Sequence, residues 1–149
     1  MAVDPRARQI SRVVNRLQRS LNAIEHDAKR PEAEIRRRAE AVRAQLAGLP
    51  AAILIADDRG RYIDVNEAAT RLTGYSRAEL LKMSVWDLTP EVRQALGRRL
   101  WREFIARGRM SGLYQLRRKG GRLVRPRYVA ASNVLPGIHV SLLIPARRS

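Results

Sequence analysis

Side chains able to do covalent or metal chemistry are scarce. No cysteine occurs, and the two histidines, His26 and His139, stand far apart in the chain. Disulfides, thiolate metal sites and cysteine nucleophiles are therefore excluded. Two separated histidines build neither a metal cluster nor a nucleophile–base pair. Each reads as a surface residue, His139 lying opposite the apolar positions of a predicted strand. Gly120-Gly121 lacks the strand-to-helix setting of a phosphate loop and reads as a turn. With no acid/base or metal constellation, a non-enzymatic protein is expected.

What is abundant is arginine. The 149-residue chain has a net charge of +16, and residues 91–149 carry 14 basic against 2 acidic side chains. Arg117, Arg118, Lys119, Arg122, Arg125 and Arg127 surround one predicted turn. They form a candidate patch for an anion or a partner, since arginine grips phosphate and carboxylate bidentately. The plainer reading is a solvated hairpin tip. The field would attract polyanions, or an acidic protein, or reflect only an arginine-rich proteome. Aromatic residues are 5% of the chain, so stacking platforms for single strands look sparse. No helix-turn-helix, zinc-finger or basic-zipper spacing is visible.

Apolar residues at 45% and charged residues at 30% fit one folded domain. No apolar run reaches the ~20 residues of a membrane span. Arg6, Arg8, Arg12, Arg16 and Arg19 interrupt the N-terminus, which is unlike a secretory leader. A cytoplasmic protein with no membrane contact is expected.

Residues 1–48 read as an N-terminal region of two amphipathic helices. Ile10, Val13, Val14, Leu17, Leu21 and Ile24 follow helical spacing in a narrow stripe. Pro31 breaks the pattern and suits the first turn of a second helix. Ile35, Ala39, Val42, Leu46 and Leu49 then continue it, up to Gly48 and Pro50. Both helices could cover the following domain. The narrow, roughly heptad stripe favours pairing with a second copy. Candidate dimerisation residues are Ile10, Val14, Leu17, Leu21, Ile24, Ile35, Val42 and Leu46.

Residues 49–149 form the second region. Ala51–Ala56 is a strand-like apolar run, and Asp57-Asp58-Arg59-Gly60 is a turn. Arg61–Val65 alternates and completes a hairpin. Asn66 is an N-cap, Gly74 a helix terminator, and Ser76-Arg77-Ala78-Glu79 a capping box. The segment from Val65 to Leu80, with its Asn66 helix start, Ala68, Leu72, Thr73-Gly74-Tyr75 turn and Ser76–Glu79-Leu80 cap, resembles the signature of PAS domains. Trp86-Asp87-Leu88-Thr89-Pro90 resembles the segment that follows it. Lys82 departs from the family's frequent glycine. The resemblance covers about residues 50–145.

It implies an α+β PAS fold, a five-stranded antiparallel sheet with flanking helices. Thr89 and Pro90 open the next helix, with Val92, Leu96, Leu100 and Phe104 on one face and Gly108 at its end. Strands are expected at Leu113–Arg117, Leu123–Asn133 and Ile138–Ile144, with Pro126 marking a bulge or unpaired edge. In this family ligands sit between the long helix and the sheet. Val92, Leu96, Leu100, Tyr114 and Tyr128 are therefore candidates for a small apolar ligand, a filled core being the alternative. No cofactor is predicted. A flavin–cysteinyl adduct needs a cysteine, and residues 91–108 offer haem no histidine. The expected function is a sensory and signalling module acting through homodimerisation and a separate output protein. The alternative is a basic, nucleic-acid-associated regulator using the arginine-rich last third.

Overall fold

The strand β1, Ala52–Ala56, buries all five of its residues. Alternate side chains on a strand point to opposite faces, so both faces of β1 must be covered. The computed structural model, which describes residues 4–22, 32–90 and 94–145, shows how. β1 is followed by β2 (Tyr62–Val65), α3 (Glu67–Thr73), α4 (Arg77–Leu80) and a 3-10 turn (Val85–Leu88). After these come α5 (Gln94–Arg107), β3 (Arg109–Leu113), β4 (Leu116–Arg117), β5 (Leu123–Val124), β6 (Arg127–Leu135) and β7 (Ile138–Ile144). Two helices precede the sheet, α1 (Pro5–Asn22) and α2 (Glu32–Gln45). Five strands form one antiparallel sheet in the order β2-β1-β7-β6-β3, and β4 and β5 form a separate hairpin. The expected α+β architecture is present.

The local chemistry explains the short helices. The Asn66 side chain accepts the Ala69 amide at 3.0 Å and the Ile53 amide at 2.9 Å, and donates to the Ala51 carbonyl at 3.0 Å. One asparagine thus caps α3 and ties it to β1. Gly74 ends α3 in the left-handed conformation, φ +79°, which only glycine adopts without strain. Ser76 and Glu79 cap each other's backbone amides at 3.1 and 2.8 Å.

Two strands differ from expectation. The strand after α5 is Arg109–Leu113, not Leu113–Arg117; it pairs with β6, and Leu116–Arg117 turns away into the small hairpin. As the sheet's edge strand, β3 lies half open to solvent, so it shows no alternation to read. The expected Leu123–Asn133 strand is divided at Arg125-Pro126. Proline cannot donate to a ladder, and there the Pro126 carbonyl accepts the Tyr114 amide at 2.9 Å.

One face of the sheet carries Ile53, Ile55, Val140 and Leu142 and is covered by Ile10, Val14 and Leu17 of α1 and by Ala39 and Val42 of α2. The other carries Leu54, Val65 and Leu143 and packs with Ala69, Leu80 and Leu88. The N-terminal stripe is consequently spent on the chain's own sheet. Ile10, Val14, Leu17, Val42 and Leu46 are buried there and Ile35 packs beside them, so they are not a free seam for a second copy. An apolar sheet face and an amphipathic helix bury each other more extensively than a narrow helix seam would. The Leu21 side chain and Ile24 lie outside the described residues, as does the proposed break at Pro31. No helix among the described residues is long and apolar enough to cross a membrane.

A buried carboxylate joins the layers. Asp64 on β2 is 1% exposed and sits 2.6 Å from Arg43 Nε of α2 and 2.7 Å from Arg77 of α4. A buried charge is tolerated when paired and hydrogen-bonded. Either arginine alone can serve that need, so Arg43→Ala and Arg77→Ala should each cost about 1 kcal/mol. The double variant strands the carboxylate and should cost about 3–5 kcal/mol. Urea unfolding of the four proteins checks this, and strictly additive losses would show that the two pairs act independently.

Candidate functional site

Beneath α5 the inner sheet face is incompletely filled. A cavity of about 210 Å³ lies between α5, the 3-10 turn and strands β1, β3, β6 and β7. Its floor includes Leu54, Ala130, Ser141 and Leu143; its walls include Trp86, Leu88, Gly97, Met110 and Tyr114. Leu96, Leu100 and Leu113 also line it, yet are 43%, 39% and 64% exposed. They therefore form an apolar mouth.

α5 is fastened at one end. Phe104 is buried, the Ser132 hydroxyl donates to the Ile105 carbonyl at 3.2 Å, and Trp101 Nε1 donates to the Asp58 carbonyl at 3.2 Å. The half bearing Leu96 and Leu100 has no such ties among the described residues. On the opposite wall, the Trp86 ring lies on Gly60, where a Cβ would meet it at 2.7 Å. The Arg98 guanidinium covers that ring at 5.3 Å from its centroid, a cation–π contact.

Polar groups are few. The Tyr114 hydroxyl shares a hydrogen bond with Thr89 Oγ1 at 2.8 Å, and its ring meets Tyr128 edge-on at 6.0 Å. The residues that Thr89 was expected to cap, 91–93, lie outside the described residues. Burial pushes the phenols of Tyr62, Tyr114 and Tyr128 upward. At neutral pH they remain neutral hydroxyls, suited to hydrogen bonding rather than to nucleophilic or base chemistry.

The family model described as the PAS fold matches residues 46–131. The chain belongs to the PAS family. Solved structures agree on the fold. A domain of a sensory box sensor histidine kinase/response regulator from Geobacter sulfurreducens matches at TM-score 0.61 and 20% identity, over 72% of this chain and 93% of that one. The Rhodobacter sphaeroides LOV protein matches at TM-score 0.61 and 17% identity, over 74% of this chain and 67% of that one. The PAS domain, bound to ethanol, of a LuxR-family transcriptional regulator from Burkholderia thailandensis matches at TM-score 0.56 and 20% identity, covering 69% of this chain and 95% of that one. No curated protein matches the sequence.

Of the five candidate pocket residues, Leu96, Leu100, Tyr114 and Tyr128 line the cavity of this PAS domain, and Val92 lies outside the described residues. Trp86, Gly97, Trp101 and Met110 were not singled out for the pocket from sequence. Trp101 stands next to the Leu96/Leu100/Phe104 face, and that adjacency was the available signal.

The basic patch is divided. The Arg118 guanidinium donates to the Arg71 carbonyl at 3.3 Å, and Lys119 pairs with Glu79 at 2.7 Å. Both fasten the β4–β5 hairpin to α3 and α4. Arg117 is half-buried, while Arg122, Arg125 and Arg127 are exposed and have no acidic partner among the described residues.

His139 is not a surface residue. It is 1% exposed, on the inner face of β7, with Trp101 edge-on at 5.5 Å and Phe104 at 6.3 Å. Its Nδ1 accepts the Asn133 amide at 2.9 Å, and its Nε2 lies 2.7 Å from Asp58 Oδ1. The accepting Nδ1 fixes the neutral tautomer with hydrogen on Nε2, donated to Asp58. Its place opposite the apolar positions of β7 was read correctly, but that side is a second interior. His26 lies outside the described residues.

Burial pushes the His139 pKa below its ordinary 6.5, against the opposing pull of Asp58 and Asp57. The unfolded chain then binds the proton more readily than the folded one. Stability should be full above about pH 6.5 and fall as the pH drops below it, by at most about 1.4 kcal/mol per pH unit. Thermal unfolding at pH 7.5 and 5.5 should show this loss, with a smaller slope in His139→Asn. An unchanged slope in that variant would place the proton uptake elsewhere.

Proposed function

We propose that this PAS domain is a sensory and interaction module whose cavity under α5 takes a small, mainly apolar ligand. The observation that carries this is the apolar mouth. Leu96, Leu100 and Leu113 are exposed around a cavity of about 210 Å³, and an occupant would remove them from water at about 25 cal/mol per Å² of apolar area. The ethanol held by the Burkholderia domain is a precedent for a small guest in this fold. Occupancy would draw the loosely tied half of α5 toward the sheet. The response would pass to β2 and, through Asp64 and Arg43, to α2, where a separate output protein would read it by contact. Homodimerisation, if part of that output, would use surfaces other than the stripe buried against the sheet.

A second reading rests on Arg122, Arg125 and Arg127, exposed without acidic partners among the described residues. They would dock a polyanion or an acidic protein. Nucleic-acid use predicts binding that weakens steeply with salt, with one unit of log–log slope lost for each phosphate-contacting arginine removed.

Gly97 offers the test of the sensory reading. It is a helical glycine lining the cavity, and an added Cβ would meet only Trp86 and Thr89 atoms at 3.7 and 3.8 Å. Gly97→Leu should preserve or raise stability, by up to about 1 kcal/mol, because glycine is a poor helix former, while filling the cavity. Under xenon pressure, wild-type amide resonances should shift around the cavity and in α2, and Gly97→Leu should lose both responses. Wild-type shifts confined to the lining, with α2 silent, would refute transmission.

A further inference from the structure

The chain has only seven aromatic side chains, two Trp, four Tyr and one Phe. Six of them, Tyr62, Trp86, Trp101, Phe104, Tyr114 and Tyr128, line the cavity under α5. Only Tyr75 does not. An aromatic wall of this density favours a flat π-system, because stacked and edge-to-face contacts add to what area burial gives. The size agrees. An apolar cavity of ~150 Å³ is enough for benzene, so about 210 Å³ takes one ring with a small substituent.

The lining carries no charged side chain, so an ion would enter without a counter-charge and at heavy cost. Apart from the two indoles, its polar side chains are neutral hydroxyls and one amide, Gln115. Thr89 and Tyr114 satisfy each other. Two other hydroxyls are left idle. Tyr62 is 7% exposed, yet its hydroxyl bonds to none of the described residues. Ser141 stands on β7, the middle strand of the sheet, between Leu54 of β1 and Ala130 of β6. Its side chain also has no hydrogen bond among the described residues, and it is only half-buried because the cavity lies over it. A buried hydroxyl without a partner is costly. Both therefore favour a guest that can donate and accept, and a hydroxyl substituent does both.

We infer that the cavity recognises uncharged single-ring aromatic alcohols of the phenol class, the ring among the six aromatic side chains and its hydroxyl on Tyr62 and Ser141. This rests on the cavity being a ligand site. The test uses 4-fluorophenol, observed by 19F NMR with the full chain at neutral pH. It should bind saturably and be displaced by phenol. Cyclohexanol, of similar size and polarity but without a π-system, should displace it about fivefold less well. The anion 4-fluorobenzoate should bind at least about tenfold more weakly than 4-fluorophenol. The double variant Tyr62→Phe, Ser141→Ala removes both idle hydroxyls and no contact made by the folded chain. It should weaken 4-fluorophenol about fivefold, the scale of one hydrogen bond, and leave 4-fluorotoluene unchanged. Cyclohexanol matching phenol would overturn the aromatic class. Fluorobenzoate matching 4-fluorophenol would overturn the requirement for a neutral guest. Unchanged 4-fluorophenol binding in the double variant, or an equal loss for both probes, would overturn the hydroxyl assignment. If neither 4-fluorophenol nor 4-fluorotoluene binds while xenon still shifts the lining resonances, the phenol class falls and the cavity reading stands. If xenon shifts none of them either, both fall.

Discussion

Everything in this molecule follows from a central sheet that is apolar on both faces. β1 has no solvent side, and β7 alternates Ile138, Val140, Leu142 and Ile144 on one face with His139 and Leu143 on the other, all of them buried. Such a sheet is stable only as the middle of three layers. α1 and α2 supply one cover, and the short helices with α5 supply the other. The second cover is the imperfect one. α5 is tied down at Trp101, Phe104 and Ile105, and the space under its other half is the cavity. The opening is therefore a shortfall in the same layering that makes the fold.

The parts legible in the sequence were those set by chemistry within three or four residues. The Asn66 cap, the left-handed Gly74 and the Ser76–Glu79 box read directly, because each donor and acceptor is a near neighbour. The sheet and its family followed from their order. Non-local features were harder. The stripe Ile10–Val14–Leu17 announced that a face would be buried, but periodicity does not say against what. His139 gave no sign of burial because its partners, Asp58 and the Asn133 amide, arrive from the β1–β2 turn and from β6. Edge strand β3 escaped because Ser111, Gly112 and Leu113 are all exposed.

Charge is used in two ways. Some acids are committed to particular bases that join elements: Asp64 to Arg43 and Arg77, and Glu79 to Lys119. Arginines outnumber them, so Arg102, Arg107, Arg122, Arg125 and Arg127 stand exposed without a counter-charge among the described residues. The positive field is what remains after the structural pairs are made, and it lies on the part of the chain that also forms one wall of the cavity.

The placement of Trp86 and Trp101 has a practical side. Both indoles of the chain stand at the same opening, one clasped between Gly60 and Arg98, the other between Asp58 and His139. No indole elsewhere adds a constant background. The ultraviolet emission of the unlabelled protein therefore reports on this one place, and a movement of α5 or a change in what surrounds the two rings would be visible as colour and intensity alone.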